Sequence, residues 1–243
     1  MDRSINIIER TGASIMSKID LTQVGFDTKV IHAGQGMDPG TGALSTPIYQ
    51  TSTFCFETVE EGMAKFSKQI PGYVYSRGGN PTTRAVECKI AAIEKAEDCV
   101  CTASGMGAVG AVMVGLLRTG DHVICDDTVY GGTSNVMRDN LEQFGIDVTF
   151  VDSSNADAVK AAINERTKLV YFETPTNPTM KVIDIRKTAD IVHPHGIKLV
   201  VDNTFAPPPI QYPIELGADL VVHSVTKYLN GHGDVIGGAV AGN

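Results

Sequence analysis

The sequence predicts an α/β fold: a mostly parallel sheet with helices on both faces, preceded by an extended N-terminal arm. Three observations carry this expectation. Short apolar runs alternate with helix-period segments from about residue 98 onward, the pattern of repeated βαβ units. The runs are apolar at consecutive positions, as in HVIC (122–125) and LVV (199–201), which suits strands buried on both faces. Several then stop abruptly in polar residues, as in LVVDNT and LVVHSVTK, and open α/β sheets bind ligands at such strand ends.

The elements follow in order. The first fifty or so residues have no clear periodicity, and IHAGQGMDPGTGALSTPIYQTSTF reads as an extended arm. Residues 1–15 read as a poorly ordered extension, with Met16 as an alternative start. A short helix is expected at about 57–67. Pro81 opens the next helix, with Val86, Ile90 and Ile93 at helical spacing. DCVCTAS is strand-like, and GMGAVGAVMVGLLRTG is a helix ended by Gly120. Strand DHVICD, helix GGTSNVMRDNLEQFG and strand DVTFVD come next. NADAVKAAINERT is a helix capped by Asn155, and KLVYFE is a strand. DIRKTADIVHPHG is a helix capped by Asp184, followed by strand KLVVD, short helix PIELG, strand DLVVHS and a last strand DVIGGAVAG.

Composition excludes several classes. Hydrophobic residues make up 42% and charged residues 20%, an ordinary globular balance. A formal charge of −8 disfavours nucleic acid or an anionic membrane as the main partner. The longest small-apolar stretch, GAVGAVMVGLL, falls short of the roughly 20 residues that a membrane span needs. Five cysteines in a chain this long point to the cytosol rather than to a disulfide scaffold. Cys99 and Cys101 read as small apolar strand residues, and His193 and His195 as a solvated helix end, so no metal site is expected.

Gly105-Met106-Gly107-Ala108-Val109-Gly110 fits the dinucleotide fingerprint, following a strand and opening a helix. A nicotinamide reading nevertheless leaves Asp202 and Lys227 without a purpose. The physical content is common to both readings: a helix N-terminus behind a small-residue turn receives a phosphate. One phosphate site, one carboxylate and one lysine at neighbouring strand ends suit pyridoxal phosphate. Its aldehyde takes a lysine, and its ring nitrogen takes an acidic partner that keeps the ring an electron sink.

The segments YVYSRGGNPT, TASGMGA, DDTVYGGT, FETPTNPT, VVDNTFAPP and VVHSVTKYLNGHGDVIGG together resemble the marker blocks of the Cys/Met-metabolism (transsulfuration) pyridoxal-phosphate enzymes. That group includes methionine γ-lyase, cystathionine γ-lyase and γ-synthase, cystathionine β-lyase and homoserine sulfhydrylases. The resemblance runs from about Ile31 to the C-terminus and implies the large domain of a fold-type I pyridoxal-phosphate transferase. It divides the chain into an extension and arm (1–60) and a cofactor-binding domain (61–243), with the family's C-terminal small domain absent.

The resemblance also implies roles. Lys227 is the Schiff-base lysine and proton shuttle, and Asp202 pairs with the ring nitrogen. Ser104, Gly105 and Met106 form the phosphate turn, helped by Ser224 and Thr226. Tyr130 stacks on the ring and takes part in acid–base steps, and Asn177 meets the ring hydroxyl. Tyr75 and Arg77 reach the phosphate of a neighbouring subunit, which implies a homodimer or homotetramer with shared sites. The implied activity is carbon–sulfur lysis, by γ-elimination of methionine or homocysteine. Gly132, where many methionine γ-lyases carry Cys, keeps cystathionine enzymes as the alternative, and a chain without its small domain could be an inactive fragment.

Overall fold

A computed structural model describes residues 20, 21 and 23–243; the expectations for residues 1–15 and Met16 lie outside the described residues. The chain forms two compact units that divide between Ile93 and Glu94.

Within the first unit, the arm contains a helix that periodicity did not reveal, α1 (Phe26–His32). Its seven residues bury no side chain, so no apolar stripe marks it in the sequence. Helix α2 (Val59–Phe66) lies where expected, because Thr58 caps the Glu61 amide while the Glu61 carboxylate receives the Glu57 amide. Helix α3 (Pro81–Glu94) opens on proline, which lacks the N–H that a first helical residue would leave unpaired. Thr82 and Asn80 bond the backbone of Pro47 and Tyr49, which ties an otherwise irregular stretch to the start of α3.

The second unit contains a seven-stranded sheet: β1 (Asp98–Thr102), β2 (His122–Asp126), β3 (Asp147–Val151), β4 (Thr167–Glu173), β5 (Lys198–Asp202), β6 (Leu220–His223) and β7 (Gly238–Gly242). The order is β1-β7-β6-β5-β4-β2-β3. Strand β7 runs antiparallel to both of its neighbours, and the other pairings are parallel. The carboxyl ends of β1, β2, β4, β5 and β6 therefore share one edge.

Period-two alternation sorts the strands' side chains onto two cores. Val123, Cys125, Leu169, Tyr171, Val200 and Val222 join Val112 and Met113 of α4 (Gly105–Leu116). Ile124, Val170, Phe172, Leu199, Val201 and Val221 join α6 (Ala156–Ala162) and α7 (Ile185–Val192) on the other face. The continuous apolar runs are thus strands buried on both faces.

Four expectations are corrected. Helix α4 stops at Leu116, with Leu117 already extended, rather than at Gly120; the Arg118 amide is taken by the Asp121 side chain, which closes a turn instead. The helix expected through GGTSNVMRDNLEQFG is α5 (Gly131–Asn135), then a π-helical turn (Val136–Asn140), then a 3-10 turn (Glu142–Phe144), ended by Gly145 at φ 69°. PIELG forms turns, not a helix, and ends on Gly217 at φ 104°. The last strand begins at Gly238 rather than Asp234. The expected caps do form: Asn155 receives two amides of α6 and Asp184 one of α7.

Candidate active site

The shared strand edge gathers polar side chains on the α4 face. Tyr171 and Glu173 alternate onto that face along β4, as do Val200 and Asp202 along β5. Asp202 and Glu173 are register partners, so two carboxyls stand side by side.

Asp202 is almost fully buried and richly bonded. Its Oδ1 accepts from Thr204 Oγ1 at 2.6 Å and from the Thr204 amide at 3.1 Å, and its Oδ2 accepts from Tyr171 Oη at 3.1 Å. Burial first, then the charge of Asp202, hold the Tyr171 phenol far above its ordinary value, so Tyr171 is a committed proton donor. A carboxylate has about four acceptor positions, so room remains for one further donor.

The Thr204 hydroxyl does a second job: it accepts the Ser224 amide at 2.9 Å. One side chain therefore links the acid at the end of β5 to the turn Ser224-Val225-Thr226-Lys227 after β6. The Lys227 amide donates to Ser224 O and Gly231 N donates to Lys227 O, which fixes the lysine backbone while its side chain is exposed. Thr226 Oγ1 and the backbone of Gly237 exchange two hydrogen bonds, at 3.2 and 3.1 Å, so this hydroxyl also braces the start of β7.

Ser104 caps α4 by accepting the Gly107 amide at 3.0 Å, and its carbonyl accepts the Ala108 amide. Gly105 and Met106 are left at the open end of a 12-residue helix, where amides and dipole favour an anion. A Cβ on Gly105 would lie 2.7 Å from Ser224 Cβ. The glycine thus lets the helix N-terminus approach the lysine-bearing turn. Gly238 serves likewise at β7, since a Cβ there would meet Ser104 O at 2.1 Å.

Tyr130 precedes α5, with its side chain about half exposed. Its ring lies over Gly132, where a Cβ would meet Tyr130 Cε1 at 2.7 Å and Met106 Sδ at 2.9 Å. Asn177 sits in the loop after β4. Glu173, a strand-end residue with no role assigned from sequence, accepts the Tyr130 amide at 3.1 Å, and the Asn177 backbone nearby favours its charged form. Burial, then the neighbouring Asp202, push its carboxyl up to about 8. Tyr171 and Thr204 were also missed. The alternation 171/173 and 200/202 would have put Tyr171 on the face of Asp202, and Thr204, two residues after Asp202, is its local turn partner.

The loop of Asn177 is anchored by Lys181, whose Nζ lies 3.0 Å from Asp126, 2.9 Å from Asp127 and 3.2 Å from Asp152. Those three carboxylates could resemble a metal cage, but the ammonium at their centre already supplies the cation.

In the first unit, the Arg77 guanidinium stacks 4.6 Å over the Tyr75 ring, and Tyr75 bridges Thr53. These two expected phosphate ligands are brought together with each other.

The second unit thus fits a phosphorylated pyridine aldehyde: an anion-binding helix start, a buried acid with an acceptor position to spare, and a lysine on a glycine-lined turn. Among the described residues, no helix is long and apolar enough to cross a membrane.

Comparison with known proteins accords with this donor set. An L-methionine gamma-lyase of Fusobacterium nucleatum subsp. polymorphum is 50% identical over 226 residues, covering 93% of this chain and 57% of that protein. A cystathionine gamma-synthase of Mycobacterium leprae (strain TN) is 45% identical over 219 residues, covering 90% and 55%. The crystal structure of cystathionine gamma-lyase from Lactobacillus plantarum complexed with L-serine matches with a TM-score of 0.84 at 42% identity, covering 90% of this chain and 55% of that one. The chain spans little more than half the length of the curated relatives it matches. Residues 27–243 fit the family described as Cys/Met metabolism PLP-dependent enzyme, and the chain belongs to that pyridoxal-phosphate-dependent family.

Proposed function

We propose that the protein is a carbon–sulfur lyase of sulfur amino-acid metabolism that γ-eliminates L-methionine or homocysteine, with uptake of water, giving a thiol (hydrogen sulfide from homocysteine), 2-oxobutanoate and ammonia. The observation that carries this reading is the path Asp202–Thr204–Ser224, which couples a buried acid to the lysine-bearing turn. When bound, the cofactor supplies a protonated ring that stabilises negative charge at the substrate α-carbon.

The chain's own residues do the rest. The amides of Gly105 and Met106, with the Ser224 and Thr226 hydroxyls and Ser104 as cap, hold the phosphate. Asp202, fixed by Tyr171 and Thr204, holds the ring nitrogen's proton. Asn177 orients the ring hydroxyl. The Lys227 amine takes the α-proton, would give it up to the bound cofactor, and as a free amine again takes a β-proton. The Tyr130 phenol gives a proton to the departing sulfur. Tyr75 and Arg77 complete the phosphate site of a second copy of the chain, in a homodimer or homotetramer, with the arginine acting as a bidentate fork. Residues 61–243 act as the cofactor-binding domain, and five free cysteines without a disulfide scaffold suit the cytosol.

A second reading, a cystathionine γ-lyase or γ-synthase, is favoured by Gly132 and by the cystathionine gamma-synthase among the relatives. The test is release of 2-oxoacid from methionine, homocysteine and cystathionine by the purified, cofactor-loaded chain beside a Lys227→Ala control. Methionine or homocysteine turning over fastest supports the first reading, and cystathionine turning over fastest supports the second. No 2-oxoacid from any of the three removes the lyase reading for this chain.

A further inference from the structure

Glu173 ends β4 and is only 2% exposed. A carboxyl at such a depth is costly unless bonded. It accepts the backbone amide of Tyr130, after β2, at 3.1 Å, and the backbone of Asn177, in the loop after β4, lies near enough to favour its charged form. Both residues face the ring in the reading above, on which this inference rests. The charged or titratable groups around the carboxyl are Asp202 on β5, Tyr171 on its own strand and Asp126 at the end of β2. No cation is among them. The carboxyl is therefore placed as an acceptor for amides and not as an ion-pair partner.

We propose that Glu173 is a positioning residue: its single carboxyl sets the backbone of Tyr130 and the backbone of Asn177 at fixed places above the sheet edge. Each loop carries its functional side chain on the residue whose backbone the carboxyl meets. A shift of either backbone therefore moves a phenol or an amide directly. Burial and Asp202 favour the neutral acid at neutral pH, so glutamine is a close mimic. Methionine has a similar length and offers no comparable acceptor.

The experiment compares the parent chain, Glu173→Gln and Glu173→Met by amide hydrogen exchange without cofactor, then by steady-state kinetics with it. In Glu173→Met, the Tyr130 and Asn177 amides should exchange about tenfold faster while the Val200 amide in β5 is unchanged. In Glu173→Gln, the same two amides should stay within about threefold of the parent. The loaded Glu173→Met enzyme should lose about tenfold in kcat with little change in KM, and glutamine should restore kcat. Unchanged exchange at both amides in Glu173→Met overturns the proposal. If Glu173→Met does not fold, Glu173→Gln decides: retained protection at both amides supports the proposal and loss at both overturns it. Because exchange is read without cofactor, loss of the lyase reading would leave this result standing, and the reverse also holds.

Discussion

Asp202 and Asn203 are adjacent in the chain, yet they serve opposite faces of one sheet edge. On the α4 face, Asp202 is held by Tyr171 and Thr204, Glu173 holds the Tyr130 amide, and the Lys227 side chain stays exposed. On the other face, Asn203 and His223 both donate to Glu94 Oε1, and Gln211 bonds the Asn203 side chain and Thr174 O. Both faces bury polar groups. The difference is where the bonding ends. The back network ends inside the protein, on the buried atoms Glu94 Oε2 and His223 Nδ1, whereas the front network ends in a spare acceptor position, an exposed lysine and an open helix start. Enclosed polar networks belong to the fold; open ones are available to a ligand.

Substitutions can break or sharpen this contrast. Lys227→Ala should have the largest effect, lowering turnover by about 10³-fold or more while leaving the unfolding midpoint unchanged. A parallel fall in stability would mean that the lysine belongs to the fold. Asp202→Asn should lower turnover by roughly 10²–10³-fold while cofactor content changes only a few-fold. Equal losses in both would assign Asp202 to binding alone.

On the back face the effects should invert. Glu94→Ala leaves a buried imidazole and amide without their shared acceptor, and should cost about 3 kcal/mol in urea unfolding. Turnover per folded molecule should stay within about twofold. The double change Glu94→Leu with His223→Leu should return much of that stability, because Glu94 Oε2 and His223 Nδ1 already lack partners among the described residues. The smallest effect belongs to Gly132→Cys. Its Cβ displaces only the Tyr130 ring and the Met106 thioether, so the preference between methionine and cystathionine should shift a few-fold without loss of fold. An unchanged ratio would remove position 132 from specificity.

The sequence made the sheet legible because strands buried on both faces leave continuous apolar runs, and caps such as Asn155 and Asp184 act locally. The interruption of 131–145 was not legible, because no breaker residue marks the π turn and its Met137, with Leu141 after it, keeps a helix-like place in the core. Nor was α1, which buries nothing. At the site, Lys227, Asp202 and the Ser104 turn stood out because polar residues end apolar runs there. Thr204 and Tyr171 did not. Their roles depend on which strands neighbour each other, and β5 beside both β4 and β6 is a property of topology. Antiparallel β7 likewise depends on Gly238 meeting Ser104 across the sheet.

The central claim is that Asp202 and Lys227 hold opposite ends of one pyridine ring. The most direct measurement is to load the chain with pyridoxal phosphate, reduce it with borohydride, and map the modified peptide by mass spectrometry in the parent and in Asp202→Asn. The account expects the label on Lys227 in both, with a visible spectrum that differs between them because the ring nitrogen has lost its acidic partner. Label on another lysine, or identical spectra in the two proteins, would contradict it.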